Sequence, residues 1–263
     1  TKYSHLLSDY ILIMSLEIVT YANKSQGMFE DLVNNEFDVP VKVLGWGTKW
    51  NGYSDKSKGV IKHLETKKDD DLVVFVDGFD TKINRVPDDI VERFKECQCR
   101  VLLSKDSNNF GKFISSLIFG TCNSNGTANA GMYMGYVKDL RQLLQNEADL
   151  LCKDDQVNLN NLCEKYDFIK VDTQNRIFKN IGPFEKEVKT DAIFISYPGT
   201  PSLSRYSRGV FEYTQFVYIY VLCLLIVGMG IFPKYSKILF TIVIALVIFY
   251  ALFADKSCTL KNL

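Results

Sequence analysis

Apolar positions along this chain fall into short blocks separated by charged turns, and the blocks alternate between two periods. Tyr10-Ile11-Leu12-Ile13-Met14-Ser15-Leu16 reads as a first strand. Met28, Phe29, Leu32 and Val33 then recur at helical spacing. Pro40 to Leu44 is a second strand, and it runs into Gly45-Trp46-Gly47-Thr48-Lys49-Trp50, a loop rich in glycine and tryptophan. Ser57 to Lys67 predicts a helix carrying Val60, Ile61 and Leu64. Leu72-Val73-Val74-Phe75-Val76 follows a charged turn. Such an uninterrupted apolar block predicts a strand buried on both faces. The order β-α-β-α-β predicts a doubly wound sheet with right-handed crossovers.

The second half is less regular. Val86-Pro87-Asp88-Asp89 predicts a helix start, because proline suits the first turn and acids suit the positive end of the dipole. Ile90, Val91 and Phe94 form its inner face, and Arg100 to Ser104 is the next strand. Val137, Leu140, Leu144, Ala148 and Leu151 make one helical stripe. Asp154 or Asp155 caps a further helix. Phe168 to Asp172 and Arg176 to Phe178 read as a short hairpin, and Ala192 to Ile195 as a last strand.

Two runs near the end break this pattern. Phe216 to Phe232 and Ile238 to Phe253 contain no charged residue, and Pro233-Lys234-Tyr235-Ser236-Lys237 separates them. Apolarity on every face predicts lipid contact, as two transmembrane helices in a hairpin. Basic residues flank both ends, so charge does not orient the hairpin. The expected organisation is a globular domain over residues 1–201, a linker over 202–215 and the hairpin with a short tail over 216–263.

Charge adds an exclusion. Lys and Arg number 31, Asp and Glu 31, so no basic excess marks a nucleic-acid binder. Seven cysteines and two histidines, with no CxxC pair, argue against zinc. A disulfide among Cys122, Cys152 and Cys163 and free buried cysteines remain equal alternatives.

Chemistry concentrates where the buried strand ends, at Asp77-Gly78-Phe79-Asp80. Ligands of open α/β sheets bind beyond the carboxyl ends of the strands. Two carboxylates with Gly78 between them suit a divalent cation that holds phosphate oxygens. The same residue types also serve any strand-to-loop turn.

Several stretches occur together in one order: Leu44 to Trp50, Phe75 to Asp80, Asn129-Ala130-Gly131, Asp154-Asp155-Gln156 and Arg176 to Asn180. Over about Tyr10 to Gly199 the chain resembles the glycosyltransferase domain of procollagen lysyl hydroxylases and its giant-virus relatives. The resemblance implies a GT-A fold, a Rossmann-like mixed α/β sheet, that transfers glucose or galactose from a UDP-sugar with Mn²⁺. It implies that Asp77 and Asp80 hold the metal on the diphosphate, with Gly78 between them. It places Trp50 beside the uridine, or else in the core, and Thr20 or Tyr21 at the uridine end of the first strand. Lys58 would reach the diphosphate, or stand solvated on its helix. Asn129 would lie near the donor sugar, Gly131 would allow close backbone approach, and Gly199 would join the donor contacts. Asp154 and Asp155 would position the acceptor hydroxyl or take its proton. One departure stands out: Ser196 occupies the place of the family's histidine ligand, leaving at most a weak donor there.

The function expected is a membrane-anchored hexosyltransferase with a glycan or protein acceptor, collagen-like by resemblance, in an ER/Golgi-type or viral membrane. The alternative is a degenerate transferase fold that only binds a nucleotide-sugar or a partner protein.

Overall fold

The computed structural model describes residues 15–107, 115–116, 119–122, 126–148, 154–182, 189–198, 218 and 220–253. The first half runs β1 (Leu16–Tyr21), α1 (Phe29–Val33), β2 (Val41–Leu44), α2 (Ser54–Leu64), β3 (Leu72–Val76), β4 (Thr81–Ile83), α3 (Ile90–Glu96) and β5 (Val101–Lys105). The second runs β6 (Ala128–Tyr136), α4 (Val137–Ala148), α5 (Asp155–Cys163), β7 (Ile169–Asp172), β8 (Phe178–Asn180) and β9 (Phe194–Ser196). Helices α6 (Tyr220–Ile231) and α7 (Ser236–Phe253) follow.

A mixed sheet in the order β2-β1-β3-β6-β5-β7 forms the frame. β3 lies inside it, parallel to β1 and antiparallel to β6. All five β3 residues are fully buried, as the unbroken apolar block predicts. Their side chains divide by parity. Val73 and Phe75 join the core under α2, α4 and α5, with Val60, Leu64, Leu140 and Leu159. Leu72, Val74 and Val76 join the opposite core, with Phe94, Phe178 and Phe194. Removing Phe75 would cost about 3–5 kcal/mol by this burial.

Four expectations change. The first strand is β1, which begins where the expected one ends; positions 10–14 lie outside the described residues. Glu17 hides the strand in the sequence, but it sits near the amino end and is paired with His63 at 2.6 Å and Lys67 at 2.9 Å. The expected hairpin does not form. β7 pairs with β5, whereas β8 pairs with β9 in a second, three-stranded sheet ordered β4-β9-β8. Buried Asp172 makes the switch by accepting the backbone N–H groups of Arg176, Ile177 and Phe178 at 3.0, 2.8 and 2.9 Å. Cys122 and Cys163 form a disulfide, while Cys152 lies outside the described residues.

The fourth change concerns the tail. Among the described residues no single helix is long and apolar enough to cross a membrane. Tyr220–Ile231 and Pro233–Phe249 meet the length and composition test only as a pair, bent by 116°. The expected linker, 202–215, lies outside the described residues.

Candidate active site

Sheet polarity gathers the polar residues at one edge. Thr20 and Tyr21 end β1, Leu44 ends β2, Asp77 follows β3 and Asp106 follows β5. β6 runs the other way, so its early residues Asn129 and Gly131 lie at the same edge. The ladder continues one residue past β3, where Asp77 N–H donates to Gly131 O at 2.7 Å. This contact brings the Asp77 carboxylate against Gly131. A Cβ there would stand 2.8 Å from both Asp77 Oδ2 and Asn129 Oδ1. Gly78 is similarly confined, since its Cβ would meet Thr20 Oγ1 at 2.8 Å.

The centre of the edge is a buried cation between two acids. Lys56 Nζ, from the first turn of α2, lies 3.1 Å from Asp77 Oδ1 and 2.7 Å from Asp155 Oδ2. Burial opposes the charge on Lys56, but Asp155 and Asp77 outweigh it and hold the ammonium well above the ordinary lysine range. Burial pushes Asp77 up to about 7; Lys56 pulls it down, and Asp80 and Asp155 add repulsion. Water still reaches 30% of the Asp77 side chain, so solvent screening tempers that shift.

Asp80 is held from a different side. Ser196 Oγ donates to Asp80 Oδ1 at 3.2 Å, and Tyr197 N–H donates to Asp80 O at 2.8 Å. Ser196 is buried and directs its hydroxyl to a carboxylate, where a weak metal donor was expected. Histidine does not replace it: His63 is committed to Glu17, and His5 lies outside the described residues.

The acidic pair divides its work. Asp154 Oδ1 accepts Val157 N–H at 2.9 Å and caps α5, which leaves Asp155 to reach Lys56. Lys58 does not join the cluster. It is exposed, because two residues along a helix turn the side chain through about 200°. The cation at the site is Lys56, one turn before the buried Val60. That spacing is legible in the sequence, since the inner face marked by Val60 and Leu64 extends back to Lys56.

A second buried acid was not anticipated. Burial pushes Asp106 up to about 6, against hydrogen bonds from Ser115, Gln156 and Asn129. Asn129 Oδ1 accepts Gly131 N–H at 2.8 Å, while its amide donates to Gln156 Oε1 at 3.2 Å. Asp106 follows an ordinary charged strand end, Lys105, so only the β5–β6 pairing reveals its position.

The aromatic loop forms the rim. Trp50 is 42% exposed, with its ring 6.0 Å from those of Tyr21 and Tyr53. Trp46 is 56% exposed and stacks on Phe29 at 5.1 Å. Neither is a core tryptophan. Thr20 Oγ1 is buried without a hydrogen-bond partner, beside Gly78. Gly199 lies outside the described residues.

A metal ion is implied by the resemblance, so the donors need testing against one. Among the described residues no group of three or more His, Cys, Asp or Glu could hold a metal ion. Asp77 and Asp80 supply hard oxygen donors. Burial is the first cause of the rise in Asp77, and repulsion from Asp80 and Asp155 adds to it. The residues fit a divalent cation whose remaining ligands come from elsewhere.

Comparisons with known proteins bear on the family. Residues 13–193 match the family described as PLOD GT domain. A Caenorhabditis elegans multifunctional procollagen lysine hydroxylase and glycosyltransferase is 24% identical over 198 residues, covering 66% of this chain and 27% of that protein. A Drosophila melanogaster procollagen-lysine,2-oxoglutarate 5-dioxygenase is 24% identical over 170 residues, covering 58% and 23%. The matched stretch thus spans about a quarter of each relative. The solved structure of the galactosyltransferase LgtC, in complex with donor and acceptor sugar analogs, covers 76% of this chain and 94% of its own. Its identity is 13% and its TM-score 0.46, a likeness too low to carry argument. The family match covers more than half of the chain, which therefore belongs to the PLOD GT domain family of glycosyltransferases.

Proposed function

We propose that this edge of the sheet transfers a hexose, glucose or galactose, from a UDP-sugar to an acceptor hydroxyl, on a GT-A fold. One observation carries the reading: Lys56 joins Asp77 and Asp155 in a single buried cluster. The carboxylate expected at the diphosphate and the one expected at the acceptor therefore share a site.

The roles follow from position. Exposed Trp50 offers an aromatic face to a uracil ring at the ends of β1 and β2, with the buried Tyr21 ring 6.0 Å from its own. The diphosphate lies over Asp77 and Asp80, with Lys56 contributing positive charge beneath. Asp77 and Asp80 would hold a divalent cation such as Mn²⁺, whose charge would stabilise the leaving diphosphate. Asn129 and Asp106 face the sugar. Asp155 orients the acceptor hydroxyl and takes its proton as the new glycosidic bond forms. The bond from the anomeric carbon to the diphosphate breaks, and its electron pair leaves with UDP.

The family resemblance suggests hydroxylysine of a collagen-like protein as acceptor. The Cys122–Cys163 disulfide suits an oxidising compartment, such as an ER/Golgi-type lumen. Leu224, Ile231 and Ile238 are each more than 60% exposed on α6 and α7, surfaces that suit lipid. Flotation with phosphatidylcholine vesicles tests that anchoring: the full chain should float, and a truncation before residue 216 should not.

Ser196 in the histidine's place favours a second reading, a module that binds UDP-sugar without turning it over. Turnover of UDP-glucose and UDP-galactose with Mn²⁺ separates the two. Wild type should release UDP, and Asp77→Asn or Asp155→Asn should lose about 100-fold or more. UDP binding without turnover selects the binding module; neither binding nor turnover sinks both.

A further inference from the structure

We infer that Lys56 is an internal counter-ion that keeps the divalent cation out until the nucleotide brings it in. The inference rests on the donor-site reading above and goes further, by assigning when the metal binds and which residue decides.

The argument begins with donors. A hard dication takes six or more oxygen ligands. The free protein offers Asp77 and Asp80 as its paired carboxylates, and among the described residues no third His, Cys, Asp or Glu completes the group. Ser196 spends its proton on Asp80. Asp77 Oδ1 is already occupied by Lys56 at 3.1 Å. A cation entering the free site would approach an ammonium anchored between two acids, with Phe75's ring 5.7 Å beneath it. Like charges at this range, in a largely dry setting, repel strongly.

Charge counting reverses the balance once the diphosphate arrives. Asp77 and Asp155 against Lys56 leave that trio net negative, so an incoming diphosphate needs more positive charge than Lys56 supplies. The diphosphate also brings the oxygens that the protein lacks. An ammonium has three N–H donors, and Asp77 and Asp155 use two. The third would serve a phosphate oxygen, so Lys56 would keep its place while Asp77 and Asp80 hold the cation. Metal binding and nucleotide binding thereby become coupled, and by linkage the coupling is reciprocal.

Mn²⁺ titrated into the full-length chain, with free Mn²⁺ followed by electron paramagnetic resonance, tests this directly. Wild type should bind Mn²⁺ about 100-fold more tightly with UDP present than without it. Lys56→Met and Lys56→Gln should each tighten UDP-free Mn²⁺ binding about tenfold, because the repelling charge is gone. Lys56→Arg keeps the charge and should behave as wild type. Ser196→His adds a third donor and should also tighten UDP-free binding. Equal Mn²⁺ affinity with and without UDP overturns the inference and leaves the donor site standing. Unchanged UDP-free affinity in both neutral Lys56 variants overturns it too. Failure of UDP to bind in every arm removes the donor-site reading, and this inference with it.

Discussion

Two charged clusters in this molecule use the same residue types to opposite ends. At the carboxyl edge of the sheet, Lys56 lies between Asp77 and Asp155, with its side chain 12% exposed. On the surface, Arg85 and Arg93 grip Asp89 and Asp191, while Arg176 pairs with Glu96. This belt stitches α3 to the small sheet, where Arg93 also donates to the carbonyl of Arg176 at 2.7 Å. Burial opposes the charge on Asp89, but hydrogen bonds from Arg93 and Arg85 together outweigh it and hold the carboxyl below the ordinary range. Asp191 is lowered chiefly by its hydrogen bond from Arg93. At the edge, burial raises Asp77, and Asp80 and Asp155 add to the rise. Surface pairs satisfy themselves and finish the structure; the buried cluster is left short of positive charge, which is the condition for recruiting a ligand.

The comparison breaks most visibly at Lys56. Lys56→Met should cost about 3–5 kcal/mol in urea unfolding at neutral pH, because two buried acids lose their partner. An effect near zero would mean that the cluster is hydrated and no different from the belt. Cys122→Ser comes next. The disulfide anchors the end of α5, the helix that presents Asp155, and closes a 41-residue separation. Its removal should cost about 2–4 kcal/mol and reduce turnover, whereas nothing covalent supports the belt.

The pH dependence should carry opposite signs for the two clusters. Asp77, raised to about 7, and Asp106, raised to about 6, bind more protons folded than unfolded between about pH 4 and 7. Stability therefore falls as pH rises through that window, and Asp77→Asn should flatten the slope. Asp89 and Asp191 are lowered, so their contribution is present above about pH 4 and lost as pH falls below it. A melting series from pH 3 to 8 reads both limbs; a monotonic rise would contradict the assignment at Asp77. The smallest effect belongs to Arg93→Gln, which should lower Tm by no more than about 3 °C and leave UDP binding unchanged.

How much was legible depended on how local the cause was. β3 and its terminal aspartates were readable because five buried residues impose an unbroken apolar block. The α5 cap was readable because an N-cap needs only its own helix. β1 was displaced by Glu17, whose partners are 46 and 50 residues away. The β7–β8 hairpin failed because Asp172 diverts the chain into another sheet by hydrogen bonds that no pattern shows. The resemblance points to exposed Lys58 and passes over Lys56, because motif order carries no helix face.

By itself the sequence determined the alternation of elements and the buried strand ending in Asp77-Gly78-Phe79-Asp80. These depend on periodicity and residue identity, which are local. Only the tertiary structure decided that Lys56 bridges Asp77 and Asp155, that Asp106 lies with Asn129 and Gln156, and that Ser196 serves Asp80. Those contacts join residues from 21 to 116 positions apart, and they exist because the sheet brings strand ends from distant segments to one edge.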